Sequence, residues 1–142
     1  MGSKEKCVVG AWSDLKQDAT AVRFEVFVQE QKVPAEIELD EFDPHCIHAV
    51  VYGAVGEPVA TGRLLPNAHI GRMAVKASYR GQGLGGQVLI TLMQEAKKRG
   101  DSTVFLSAQL QALGFYKTYG FQPFGDIYQD ANIDHRMMRC DV

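Results

Sequence analysis

No apolar run in this 142-residue sequence approaches the roughly 20 residues needed to span a bilayer, and no basic segment near the N-terminus leads into a hydrophobic one. Membrane-spanning and exported classes are therefore not expected. There is no basic block either. The 15 Lys/Arg and 17 Asp/Glu residues are interspersed and leave a formal net charge of −2, so nothing would track a phosphate backbone and nucleic acid is not an expected partner. Cysteine is sparse. Cys7, Cys46 and Cys140 are odd in number, widely spaced and without a CxxC pair or a nucleophile motif, which suits a reducing compartment better than a disulfide framework. Repeats, low-complexity tracts and Pro/Gly/Ser linkers are also missing. These absences predict a soluble cytoplasmic chain in which residues 1–142 form a single domain, and the 46% apolar content suffices for one core.

What is present alternates between strand and helix patterns. Cys7 to Trp12 is a short apolar run; Ser13 is placed to cap a helix whose apolar face is Leu15, Ala19, Val22 and Val26, ending near Gln31. From Val33 to Pro44 the chain is acidic and holds two prolines, which predicts an irregular, mobile connection bordering a cleft. Two β-rich runs, Ile47–Tyr52 and Pro58–Leu65, flank a glycine-containing turn and suit an antiparallel hairpin; a third strand centres on Ile70–Val75. Leu84, Val88, Leu92 and Ala96 then mark one face of a helix over 84–98, closed by Lys97, Lys98, Arg99 and Gly100. A buried strand at Thr103–Ser107, a short helix at Gln111–Tyr119 and strands near Phe121–Phe124 and His135–Cys140 complete a mixed α/β order with one strand-helix-strand crossover.

The segment between the third strand and the long helix carries the chemistry. Gly81, Gly83, Gly85 and Gly86 fall within six residues and remove the Cβ atoms that would keep a ligand from the backbone. Successive N–H groups can then converge on an anion at a helix N-terminus, with Arg80 adding a full positive charge. A Walker loop would end Gly-Lys-Ser or Gly-Lys-Thr, whereas Gln87 and Val88 follow here. A dinucleotide loop would follow the first strand and find an acid roughly 20 residues later, where Phe105–Ala108 supplies none. A tight ligand-free turn explains one or two glycines more readily than four. His45-Cys46-Ile47-His48 has zinc-ligand residue types, but His45 and His48 alternate to opposite faces and no partner CxxC or HxxxH exists, so no metal site is expected.

Arg80-Gly81-Gln82-Gly83-Leu84-Gly85 matches RxxGxG, and Gly114-Phe115-Tyr116-Lys117-Thr118-Tyr119-Gly120-Phe121 contains FYxxxGF. With Gly71-Arg72-Met73-Ala74-Val75 before the loop, the chain resembles the GNAT superfamily of acetyl-CoA-dependent N-acetyltransferases over roughly residues 8–140, and in particular small bacterial members related to glyphosate N-acetyltransferase. The resemblance implies an α/β (α+β) fold: a mixed, mostly antiparallel central sheet flanked by helices, with its fourth and fifth strands splayed. It implies acetyl-CoA as cosubstrate, held by Met73, Ala74 and Val75 along the pantetheine and by Arg80, Gly81, Gln82, Gly83, Leu84, Gly85 and Gly86 at the pyrophosphate.

The same resemblance assigns Tyr116 as general acid, a phenol able to protonate a thiolate, although such tyrosines also serve as packing residues. His135 is the implied base; a sheet histidine paired with Asp134, or water-mediated deprotonation by Glu36 or Asp40, stays open. Arg23 and Arg72 align with substrate-contacting arginines and would favour an acceptor bearing a carboxylate or phosphate, unless Arg23 pairs with Glu25, Glu30 or the acidic loop. Where the glyphosate enzyme has a further arginine, this chain reads Ser107-Ala108-Gln109-Leu110-Gln111, so glyphosate itself is not the expected ligand. The expected partner is a small-molecule amine acetylated in a ternary complex, and the resemblance allows a homodimer. A non-catalytic CoA-binding sensor and a protein or peptide N-acetyltransferase are the alternatives.

Overall fold

Seven strands hydrogen-bond in the order β1-β2-β3-β4-β5-β7-β6 in the computed structural model, which describes residues 5–35, 40–130 and 132–142. They are β1 Lys6–Ala11, β2 Ile47–Tyr52, β3 Pro58–Leu64, β4 His69–Val75, β5 Thr103–Gln109, β6 Gln122–Asp130 and β7 Ile133–Asp141. Every pairing is antiparallel except β4 with β5. Helix α1 is Trp12–Arg23, α2 is Leu84–Lys98 and α3 is Leu113–Lys117. This is the mixed α/β architecture expected.

Strand β2 shows why the sheet must be covered on both faces. Ala49 and Val51 pack with the cluster that contains Leu84, Val88 and Leu92 of α2, whereas Val50, between them, packs with Leu15 and Ala19 of α1. Period-two alternation thus distributes one apolar strand between two helices. Helix α2 buries Leu84, Val88, Leu92 and Ala96 at four-residue spacing, the face read from the sequence, and Gly100 ends it with φ +98°.

The start of the first helix differs from expectation. It begins at Trp12 with Ala11 at the cap and no side-chain hydrogen bond, so Ser13 lies inside the first turn. Trp12 is fixed instead by aromatic contact with His48 at 4.7 Å and by the Arg23 guanidinium 5.4 Å above its ring. At its other end α1 passes into a π-helical stretch, Phe24–Glu30, in which Gln31 N donates to Val26 O at 2.9 Å. The wider turn seats Val26 on Ala74 of β4, with Phe27 beside it.

The acidic connection also departs from the expectation of a mobile loop. Glu36 and Glu38 lie outside the described residues, but Asp40 and Asp43 are locked. Asp43, 1% exposed, accepts from both Arg23 Nη atoms at 2.9 and 3.0 Å and from Arg63 at 2.8 Å. Asp40 accepts two bonds from Arg63, at 2.7 and 2.8 Å, and one from Arg72 at 3.1 Å. His48 donates from Nε2 to the Asp43 carbonyl, and Cys46 Sγ donates to Phe42 O, so the His-Cys segment serves to hold this turn.

Removing the Asp43 carboxylate takes the bidentate partner from the buried Arg23 guanidinium and one of two carboxylates from Arg63, which keeps Asp40. We expect Asp43→Ala to lower unfolding free energy by roughly 3–5 kcal/mol in urea titrations, and a loss below about 1 kcal/mol would contradict the network's role. The Arg63 hydrogen bonds hold the Asp40 carboxyl down at about 2, against an ordinary 3.8. Burial pushes the Asp43 carboxyl up, but the guanidiniums of Arg23 and Arg63 outweigh it and leave it lowered. A depressed folded-state value stabilises above the unfolded pKa, so this contribution is intact above pH ~4 and is lost as pH falls toward ~2. Unfolding midpoints measured across that window should fall steeply in the parent protein and less steeply in Asp40→Asn.

Candidate active site

The cleft begins where two strands stop pairing. β4 and β5 meet only at His69↔Phe105 and Ile70↔Leu106, after which Gly71–Val75 and Ser107–Gln109 diverge. Each arm is held by its other neighbour, β4 by β3 as far as Val75↔Ala60 and β5 by β7 as far as Gln109↔His135. Peptide groups of β4 that do not bond to β3 therefore face the opening.

A bulge sharpens the divergence. Thr61 pairs with Ala74 and Arg63 with Gly71, so Arg72 and Met73 together oppose Gly62, and Arg72 takes φ +49°. Glycine is required on the partner strand. A Cβ at Gly62 would stand 2.6 Å from Met73 Sδ and 2.7 Å from Val88 Cγ1, so the bulge can pack onto α2 only over a residue without a side chain.

At the deep end of the opening, Gly81 and Gly83 adopt φ +81° and +80°, and a Cβ on either would meet nothing within 4 Å. Gly83 is the cap of α2, no side chain caps the helix, and its first turn holds no acid. The N–H groups of that turn thus face open space with the helix dipole behind them, an anion-binding arrangement. The two remaining glycines differ in purpose. A Cβ at Gly85 would make ordinary contacts of 3.5 Å with Phe115 and Val75, whereas one at Gly86 would lie 1.9 Å from Tyr119 Oη. Gly86 is therefore a packing glycine, although it still borders the cleft. Arg80 also borders it, but its guanidinium pairs with Glu30 at 2.5 Å and bonds Val75 O at 3.0 Å, so its positive charge is partly neutralised.

The cleft encloses about 900 Å³ and is walled by Met73, Ala74, Val75, Arg80, Gly81, Gly83, Leu84, Gly85 and Gly86 from the expected cofactor set; Gln82 lies outside the walls. Tyr116 and His135 both line it, and each is 9% exposed. Tyr116 packs edge-on against Phe115 and Phe121, and burial pushes its phenol up to about 12, so it stays protonated at neutral pH. His135 Nδ1 lies 2.7 Å from the Ile133 carbonyl; a carbonyl only accepts, so Nδ1 carries a proton and, in the neutral ring, the lone pair is on Nε2. Tyr128 stacks on the His135 ring at 6.0 Å and hydrogen-bonds Ser107.

The two arginines are separated in role. Arg72 lines the cleft with Asp40 on its guanidinium, whereas Arg23 is 1% exposed, engaged by Asp43 and absent from the walls. A paired guanidinium site built from Arg23 and Arg72 is thus replaced by a structural cation and a cleft cation. Sequence reasoning passed over Phe27, Gln31, Asp130 and Ile133, which also wall the cleft. The adjacent apolar pair Val26-Phe27, which breaks helical spacing, was the available signal for the first of these.

This geometry is shared with proteins of known family. A family model described as an acetyltransferase (GNAT) domain matches residues 13–142. The chain belongs to the GNAT acetyltransferase family. Among its relatives, the uncharacterized N-acetyltransferase YjcF of Bacillus subtilis is 39% identical over 140 residues, covering 96% of this chain and 99% of that one. An acyl-CoA N-acyltransferase from Pseudomonas aeruginosa superposes with TM-score 0.85 at 32% identity, covering 96% of this chain and 99% of that one. Escherichia coli ElaA superposes with TM-score 0.84 at 25% identity, with coverages of 96% and 99%. The GNAT chain is an acyltransferase, and members of this family take acetyl-CoA or another acyl-CoA as donor. The uncapped first turn of α2, the open space at Gly81 and Gly83, and the unpaired edge of β4 fit such a donor. Among the described residues, no group of three His, Cys, Asp or Glu side chains is placed to hold a metal, and no helix is long and apolar enough to cross a membrane.

The two kinds of glycine in the GNAT loop make separable predictions. Gly83→Val puts a side chain into the anion site and costs roughly 1–2 kcal/mol of left-handed strain, so acetyl-CoA affinity in a calorimeter should fall by more than tenfold while the fold persists. Gly86→Ala should instead destabilise the protein by displacing Tyr119; equal effects of both variants on melting temperature would contradict the distinction.

Proposed function

We propose that this GNAT chain transfers an acetyl group from acetyl-CoA to the amine of a small molecule, directly and within a ternary complex. The observation that carries the reading is that Tyr116 and His135 line one cleft together with β4 residues and the glycine loop. When bound, acetyl-CoA supplies an activated acyl carbon as a thioester.

The residues present supply what remains. The amides at the start of α2 hold the pyrophosphate, and β4 backbone groups from Met73 to Val75 hold the pantetheine arm, which fills the space where β5 is missing as a partner. His135 Nε2 takes a proton from the incoming ammonium, leaving a neutral amine whose lone pair forms the N–C bond. As the C–S bond breaks, the Tyr116 phenol gives its proton to the departing sulfur, and the proton that the newly acylated nitrogen sheds restores the phenol; its raised pKa keeps the proton in place until the thiolate develops. A β4 N–H directed across the opening stabilises the charge on the carbonyl oxygen. None of Cys7, Cys46 or Cys140 borders the cleft, which supports direct transfer over an acyl-cysteine route. The enclosed volume supports a small acceptor.

Replacing Tyr116 with Phe removes the proton and little volume. We expect Tyr116→Phe to lower kcat on the order of 10²-fold while acetyl-CoA affinity is nearly unchanged. Coenzyme A release followed with a panel of amines checks this, and undiminished turnover in the variant would remove Tyr116 from the mechanism. Tight acetyl-CoA binding with no turnover on any amine would overturn the acyl-transfer reading itself.

A further inference from the structure

The acceptor side of the cleft is bounded by Phe27 and Val33, by Ile133 and His135 of β7, and by Asp130 at the end of β6. The hairpin register sets Asp130 opposite Ile133 and Tyr128 opposite His135. With period-two alternation, these four side chains share one face of the hairpin, the face turned to the cleft.

The charges around the cleft are unequally matched. Arg72 is engaged by Asp40 at 3.1 Å and Arg80 by Glu30 at 2.5 Å. Asp130 also lines the cleft, but among the described residues its carboxylate has no ion pair and no side-chain hydrogen bond. An anionic acceptor would find each cleft guanidinium already bonded to a carboxylate and would meet Asp130 as a like charge. A cation would meet an unpaired carboxylate at the mouth of an enclosed, partly apolar cleft, where fields are focused.

We infer that the acceptor is an aliphatic amine carrying a second cationic group, and that Asp130 is the residue that selects it. The inference rests on the acyl-transfer reading for which end of the ligand reacts. His135 Nε2 receives the proton of the reacting amine, and Asp130 holds the far ammonium. Between them Phe27, Val33 and Ile133 offer apolar surface for a methylene spacer. The cross-strand partner of Asp130 is Ile133, two residues from His135, so the two polar ends of the site lie ~7 Å apart along the strand. A spacer of roughly four to six carbons spans that separation.

The test uses cadaverine, pentylamine and aminovalerate, amines of one chain length whose far ends are cationic, neutral and anionic. Coenzyme A release should be best with cadaverine, with kcat/KM above pentylamine on the order of tenfold and aminovalerate poorest. Asp130→Asn should remove the advantage of cadaverine over pentylamine through KM, and Asp130→Glu should retain it. A cadaverine KM untouched by Asp130→Asn, or a preference for aminovalerate, overturns the inference while the turnover itself upholds acyl transfer. Calorimetry on the coenzyme A complex separates the converse case. Cadaverine that binds the parent protein, binds Asp130→Asn more weakly and is never acetylated upholds the recognition and sinks the acyl-transfer reading; absence of both binding and turnover overturns both.

Discussion

Two parallel strands that hydrogen-bond at one end and separate at the other organise this molecule. The pairing of β4 with β5 stops after Ile70↔Leu106, while each strand stays held on its outer edge: β4 to β3 through a bulge, and β5 to β7 along its whole length. A sheet interior normally satisfies its backbone donors and acceptors internally. Here one edge inside the sheet is left unmatched, and an extended ligand arm can complete it as an added strand would. The glycine loop lies at the end of the same strand, so the anion site and the open edge form one continuous surface. Gly62 makes this possible from the opposite side, since only a residue without a side chain lets Met73 and Val88 close beneath the bulge.

The charge network explains how that bulge is tied to the rest of the fold. From the buried Arg23, through Asp43, Arg63 and Asp40, to Arg72 at the bulge, guanidinium and carboxylate alternate from the core to the cleft wall. Burying such charges costs several kcal/mol each, and mutual pairing offsets it only when geometry is good, as the bidentate bonds from Arg23 to Asp43 are. The arrangement fixes the turn at 40–45 against α1 and β3 and ties it to Arg72, which the bulge holds at φ +49°. Side chains that read as substrate contacts in the linear sequence thus hold the frame in which a substrate would sit.

The parts of this design that follow from local periodicity were legible in the sequence. Helix α2 was, since Leu84, Val88, Leu92 and Ala96 define a single buried stripe with a cation-rich last turn and a terminating glycine. So were β2 and β3, apolar runs separated by a turn, and the glycine loop, whose position between strand and helix gives it meaning. Features decided by tertiary contact were not. Asp43 is a carboxylate in an acidic stretch, and nothing local says that two arginines distant in sequence will bury it. The π-helical stretch adds a residue to one turn without changing composition, so Phe27 and Gln31 face a cleft where helical spacing would turn them elsewhere. Strand β6 is polar and largely exposed on both sides, which hid its length and left Asp130 in an apparent loop. The four glycines look alike in sequence, yet Gly81 and Gly83 serve backbone conformation while Gly86 serves the close approach of Tyr119.

The central claim is that backbone amides on the open edge of β4 and in the first turn of α2 form the donor-binding surface. Amide-resolved NMR during a titration with coenzyme A addresses it most directly. The largest shift changes should fall on residues 73–75 and 81–86, with smaller ones on β5 beyond Leu106. Saturable binding that leaves those amides unmoved and perturbs another face of the sheet would contradict the account.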